Sequence, residues 1–189
     1  EHDDKDDALF AKLREYQREA IHGLRQGFRA GHKSQVLVAP TGSGKTLVAS
    51  YLMKKAAEKK TRVAFLVDRV SLVDQTSAVL DQYGIDHGVI QADHWRAKPW
   101  ELVQVCSAQT LEKRGFIPDL QMLVVDEAHC MRKATADLIK GRPDLLVFAL
   151  TATPLAKGMK DIYSNVVNVT TTNALIEAKF LVPLKMYAA

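Results

Sequence analysis

No stretch of this chain is apolar for long enough to cross a membrane; the longest runs, such as residues 145–150, fall far short of the ~20 residues a bilayer requires. No signal peptide is read at the start, so a cytoplasmic protein, or one otherwise kept inside the cell, is expected. Cysteine is scarce. Cys106 and Cys130 cannot build a disulfide framework and stand in no metal-ligand spacing, which leaves two reduced thiols. Internal repeats and low-complexity tracts are lacking, and nothing marks a second domain. What remains is globular composition, 47% hydrophobic and 25% charged over 189 residues, enough for one domain with a substantial core. The net charge of +4 is uneven: residues 1–7, EHDDKDD, hold five acids against one lysine, a local −4 that leaves +8 on the rest. A basic body suits a polyanion partner and equally a plain solvated surface. The acidic leader, residues 1–7, is expected to be disordered and to carry no chemistry.

The stretch that organises the chain is APTGSGKT, residues 39–46. It follows the apolar run Val36, Leu37 and Val38 and precedes Ala49, Leu52, Met53 and Ala56 at helical spacing, so it reads as a loop between a strand and a helix. Thr41, Gly42, Ser43 and Gly44 can turn backbone N–H groups around phosphate oxygens, and the helix behind them adds its positive end. Lys45 then reaches the β and γ phosphates and the Thr46 hydroxyl completes a magnesium shell, which makes ATP with Mg2+ the expected ligand. Ala39 stands where the strict pattern has glycine; as the last extended residue of the strand it needs no positive φ.

Upstream, Leu9, Leu13, Tyr16, Ala20, Leu24 and Phe28 recur every three or four residues and predict one or two helices. They include LREYQ, residues 13–17, in which Arg14 and Gln17 are the candidates for the base end of a nucleotide. The Gln17 amide, donor and acceptor together, either reads an adenine edge or is simply solvated. Beyond the phosphate loop a helix to about Lys60 ends in Lys54, Lys55, Lys59 and Lys60, which complement its negative end. A strand over 63–67 leads into DRVSLVDQT, where Ser71 is read as the N-cap of a helix to Tyr83 closed by Gly84. Asp68 and Arg69 fall at the carboxyl end of that strand, the ligand edge of an open α/β sheet, as a binding site or a local ion pair.

Residues 88–91 and 102–106 read as strands, and between them His94, Trp95, Arg96, Lys98 and Trp100 fit either nucleic-acid stacking or a satellite core beneath a loop. Ser107, Gln109 and Thr110, small polar groups at a strand end, suit backbone contacts to phosphate. Residues 121–125 form a buried strand ending in Asp126, Glu127, Ala128 and His129, where acids are costly unless a cation compensates them. Either they decorate the start of a helix read over 129–139, or, given the phosphate loop, Asp126 holds magnesium and Glu127 orients and deprotonates the attacking water. The apolar strand 145–150 delivers Thr151, Ala152, Thr153 and Pro154, hydroxyls that at the least cap a turn. A strand over 166–170 and a helix capped by Thr172 follow. Strands alternating with helices give an α/β fold, a mostly parallel sheet flanked by helices on both faces.

In this order, LREYQ, APTGSGKT, VDRVSLVDQT, SAQTL, VVDEAH and ALTATP resemble the Q motif and motifs I, Ia, Ib, II and III of superfamily 2 helicases and translocases, across nearly all of residues 13–183. The resemblance implies a RecA-like P-loop NTPase domain over residues 8–183, with Lys45, Asp126 and Glu127 catalytic. It also implies that the strand ending at Leu150 lies between those carrying the phosphate loop and the DEAH box. Thr151, Thr153 and His129 would couple the γ-phosphate to the nucleic-acid side or a second motor domain, and Arg69, Gln109 and Thr110 would touch a sugar-phosphate backbone. The upstream Phe and Pro-Thr of the DEAD-box Q motif are missing, as is the Gly-Glu-Thr form of motif I. VDRVSLVDQT is closer to DNA repair, restriction and phage-type motors, so DNA is favoured over RNA. Motifs IV to VI, with the arginine finger, would lie past Ala189, residues 184–189 beginning the linker to a second RecA-like domain. That finger contributes on the order of 10³ to 10⁵ in rate, so this chain alone is expected to bind nucleotide, hydrolyse it feebly and unwind nothing. A nucleotide-gated nucleic-acid-binding module that does not hydrolyse is the reading from another class.

Overall fold

The computed structural model describes residues 7–91, 93–115, 117, 119–153 and 158–182; residues 1–6 of the expected leader, Pro154, and the expected linker 184–189 lie outside the described residues. Its strands are the short apolar runs of the sequence: β1 (Ser34–Val38), β2 (Val63–Val67), β3 (His87–Ile90), β4 (Val103–Ser107), β5 (Met122–Val125), β6 (Leu146–Thr151) and β7 (Asn165–Asn168). They form one sheet in the order β3-β4-β2-β5-β6-β1-β7, and every pairing is parallel. Parallel strands covered on both faces have no polar side, which is why β2 reads VAFLV and is buried at all five positions. The strand from Leu146 to Thr151 lies between β1 and β5, the position the motif order implied.

Helices α1 (Ala8–Ala11), α2 (Glu15–Arg29), α3 (Lys45–Glu58), α4 (Val73–Gln82), α5 (Ala108–Arg114), α6 (Lys133–Gly141) and α7 (Thr172–Glu177) complete the chain. Alternate strand residues face opposite layers. Phe65, Phe148 and Leu150 pack with Leu24 of α2, Tyr51 and Met53 of α3 and Leu80 of α4, whereas Leu66, Val125 and Ala149 pack with Leu111 of α5 and Ile139 of α6. No described helix is long and apolar enough to cross a membrane. Because all strands run one way, the carboxyl ends of β1, β2, β4, β5 and β6 open on a single edge, where the sequence places its polar motifs.

Several local expectations are corrected. Ser71 lies inside a 3₁₀ turn, Val70–Leu72, and α4 begins after it; Thr171, not Thr172, caps α7 by accepting the Ala174 N–H at 3.2 Å. The helix expected from residue 129 starts only at Lys133, because the chain leaves β5 through a left-handed residue and a 3₁₀ turn, Ala128–Cys130. Asp7 departs from a disordered leader. It is buried, caps α1 by accepting the Leu9 N–H at 2.8 Å, and receives the ammonium groups of Lys54 and Lys55, the latter at 3.0 Å. The two lysines thus hold a carboxylate as well as a helix end. Burial alone would raise the Asp7 carboxyl, but the hydrogen bonds from Lys54, Lys55 and Leu9 outweigh it and hold it well below the usual range.

Removing cap and charge together, Asp7→Ala is expected to cost about 2 kcal/mol at neutral pH in urea unfolding. The carboxylate's contribution is complete above its unfolded pKa and fades as pH falls through its lowered folded one, so the difference from wild type narrows below about pH 4. An equal deficit at pH 7 and in acid would contradict the ion-pair account.

Candidate nucleotide-binding site

The phosphate loop leaves β1 at Ala39 and turns through two left-handed glycines, Gly42 at φ 79° and Gly44 at φ 78°, the second capping α3. A Cβ at Gly44 would strike the Gln17 amide, so glycine is required there twice over. Two side chains of α2 brace the loop: Tyr16 Oη and Gln17 Nε2 each donate to the Ser43 carbonyl at 2.8 Å. Gln17 Oε1 accepts the Arg14 N–H at 2.9 Å, and the residue is 4% exposed. Gln17 thus braces the loop, with one amide hydrogen and one carbonyl lone pair engaged in doing so. Arg14 is exposed, with its guanidinium 4.0 Å from the centre of the Phe180 ring.

Lys45, the first residue of α3, donates to the carbonyls of Ala39 at 3.1 Å and Pro40 at 3.2 Å. Thr41 is exposed, Thr46 is half-buried in the first turn of α3, and the Ser43 hydroxyl is buried without a hydrogen-bond partner among the described residues.

Across the same edge, the Asp126 N–H donates to the Leu66 carbonyl at 2.9 Å, which fixes the first acid at the sheet edge. Glu127 follows at φ 49°, a left-handed conformation that costs a residue with a side chain roughly 1–3 kcal/mol. Its N–H donates to Asp126 Oδ1 at 3.0 Å, and its Oε2 comes 3.2 Å from His129 Nδ1. That same nitrogen lies 3.2 Å from Thr151 Oγ1. Thr151 is fully buried, accepts the Thr153 N–H at 3.1 Å and donates to the Thr153 carbonyl at 3.2 Å. Its own carbonyl accepts the Ala39 N–H at 3.0 Å, joining β6 to the root of the phosphate loop.

The charges interact. Burial pulls the Lys45 pKa down while Glu127 and Asp126 resist, so the lysine senses both acids. Burial and then the neighbouring Glu127 push the Asp126 carboxyl up, against the Glu127 N–H, Lys45 and His129. A half-dry pair of acids facing one lysine is a place where a divalent cation relieves repulsion, and a hydroxyl at Thr46 with glycine turns beside it suits a bound triphosphate. The residues present fit magnesium and a nucleotide.

Further along the edge, Arg69 is exposed and pairs with Asp68 at 3.3 Å, whose other oxygen takes Arg132 Nε at 2.9 Å. Gln109 Oε1 accepts the Val70 N–H at 3.3 Å, while Thr110 turns inward to Ser107, Oγ to Oγ 3.0 Å. Val70, Gln109, Thr110, Glu112, Lys113 and Arg132 line a groove of about 370 Å³. Lys113 and Arg132 stand in none of the motifs, and only folding brings them beside Gln109. The tryptophans are not satellite core. Trp95 and Trp100 are 77% and 68% exposed; beside them His94 Nε2 meets Asp74 at 2.8 Å and Arg96 pairs with Asp81 at 2.6 Å.

A parallel sheet with a lysine-bearing glycine loop after β1 and an acidic pair two strands away on the same edge is the arrangement of a RecA-like domain. Residues 10–156 match the family described as Type III restriction enzyme, res subunit, and the chain belongs to that family. Among its relatives, the 51.5 kDa protein of a Lactococcus phage (isolate 7-9) is 30% identical over 157 residues, 81% of this chain and 32% of that protein. Dicer-like protein 1 of Aspergillus niger is 35% identical over 146 residues, 64% of this chain and 9% of that protein. The chain thus spans less than a third of the curated relatives it matches here. In fold it is similar to a nuclease-deletion mutant of the Type ISP restriction-modification enzyme LlaGI, solved in complex with a DNA substrate mimic. That likeness has a TM-score of 0.72 at 20% identity, over 89% of this chain and 21% of that one.

Proposed function

We propose that this chain is the first motor domain of an ATP-dependent DNA helicase or translocase, binding Mg·ATP and coupling its hydrolysis to movement on nucleic acid. The observation that carries the reading is the meeting of Lys45, Asp126 and Glu127 on one sheet edge, close enough for the acids to shift the lysine's protonation. Lys45 exchanges the carbonyls of Ala39 and Pro40 for phosphate oxygens, and the N–H groups of residues 41–46 cradle the rest. Thr46 and Asp126 hold the magnesium, which supplies neutralisation of the phosphate charge. Glu127 takes the proton of the attacking water. His129, between Glu127 and Thr151, ties that acid to the turn at Thr153, so the state of the phosphate end is felt at β6. DNA is the preferred partner, held at Arg69, Gln109 and Thr110 with Lys113 beside them, and a second RecA-like domain supplies the arginine finger.

Contacts of this kind are to phosphates. Titration of duplexes of unrelated sequence is expected to give equal affinities that weaken together as salt rises, and Arg69→Ala is expected to weaken all of them alike, with a salt slope lower by about one. Strong preference for one sequence would overturn the backbone reading. Brisk DNA-stimulated turnover or unwinding by these 189 residues alone would overturn the dependence on a second domain.

A further inference from the structure

Arg132 ends the short segment by which the chain leaves the acid pair. That segment contains the 3₁₀ turn Ala128–Cys130, closed by the Cys130 N–H on the Glu127 carbonyl at 2.8 Å. Arg132 then takes the N-cap position of α6, its own carbonyl accepting the Ala136 N–H at 3.1 Å. Its guanidinium is shared between two carboxylates on other elements: Nε donates to Asp68, just past β2, at 2.9 Å, and Nη1 to Glu112 of α5 at 3.4 Å. Two bonds therefore tie the acid turn to the end of β2, the Asp126 N–H on the Leu66 carbonyl at its entrance and Arg132 on Asp68 at its exit. Between those posts Glu127 is kept at φ 49°, a conformation that persists only where the surroundings hold it. Among the described residues Arg132 alone lines both hollows beside it, the groove with Gln109 and Lys113, and a narrow cleft with Asp68, Asp126 and Glu127.

Glu112 is the unexpected member of this network. A carboxylate in a groove offered to phosphates repels the guest, unless it holds a cation that the guest can take over. The bond from Arg132 to Glu112 is long and open to solvent, so a phosphate oxygen replaces it at little cost; the shorter bond to the half-buried Asp68 stays. Only the planar fork of arginine serves two such partners at once.

We propose that Arg132 is a positioning residue geared to the groove: a backbone phosphate takes the nitrogen that faces Glu112 while Asp68 keeps the other, and the shift of the guanidinium moves the exit of the turn that carries Glu127. This rests on the motor-domain reading above. Nucleic acid and Mg·ATP then change each other's affinity by one common factor.

The test is fluorescence anisotropy of a labelled DNA duplex on the 189-residue chain, with and without a saturating non-hydrolysable Mg·ATP analogue. Duplex affinity of the wild type is expected to change about fivefold when the analogue is bound. Arg132→Lys is expected to weaken duplex binding only about threefold, since a point charge still meets a phosphate, but to lose the dependence on the analogue. Asp68→Asn is expected to lose that dependence without weakening duplex binding, and the double variant to lose no more than either single one. Glu112→Gln is expected to strengthen duplex binding about threefold at low salt, because the phosphate's competitor is gone. A dependence in Arg132→Lys or Asp68→Asn equal to that of the wild type would overturn the gearing, as would a wild type whose duplex affinity ignores the analogue. Duplex binding unchanged or weakened in Glu112→Gln would overturn the exchange at the guanidinium. A wild type that takes up no analogue in calorimetry would instead remove the motor-domain reading, a result distinct from all of these.

Discussion

Lys45→Ala is expected to lower affinity for Mg·ATP by about two to three orders of magnitude, measured by calorimetry on the 189-residue chain. The size follows from the surroundings of the ammonium. It is partly buried, its described hydrogen bonds go to two main-chain carbonyls, and its pKa is already pulled down by desolvation. Such a group gains more from an incoming anion than a solvated lysine does, and without it the phosphates face Asp126 and Glu127 uncompensated. The substitution removes no salt bridge seen in the described residues, so the unfolding midpoint of the nucleotide-free protein should move little. A variant that binds Mg·ATP like wild type would remove Lys45 from the phosphate site.

Glu127→Gln is the complementary case: nucleotide affinity kept, hydrolysis lowered by about 10² to 10⁴. Because turnover by this chain is expected to be slow, the measurement is a single-turnover assay with protein in excess over ATP. Glutamine has the same shape and can occupy the same left-handed turn, keeping the reach toward His129, but it cannot accept the proton of the attacking water. Loss of binding in parallel with loss of hydrolysis would mean that the residue supports the site's shape; normal hydrolysis would mean that another group is the base.

Much of the sheet was legible because a parallel strand buried on both faces is written as an uninterrupted apolar run. Residues 63–67 and the runs before Asp126 and Thr151 were placed within a residue, and with them the edge on which the motifs meet. What escaped were the partners made by folding. Nothing near Asp7 in sequence announces that Lys54 and Lys55 will enclose it, and nothing near Gln17 announces the Ser43 carbonyl. Glu127 hid the true start of α6, because a left-handed turn at a residue other than glycine leaves no compositional mark. The tryptophans stayed open between two readings for a simpler reason: their size favours burial, and only the geometry of the loop after β3 decides that they stay in solvent.

The bond between the Ala39 amide and the Thr151 carbonyl has a mechanical corollary. It makes the root of the cradle and the tip of the neighbouring strand a single rigid joint, with no spare length between them. A swing of the Thr151 turn therefore drags the cradle's first residue with it, and a cradle clamped on its guest holds the turn still. Such a joint transmits force in both directions, so a shift of the Thr151 turn should be felt as a change in how firmly a bound triphosphate is gripped.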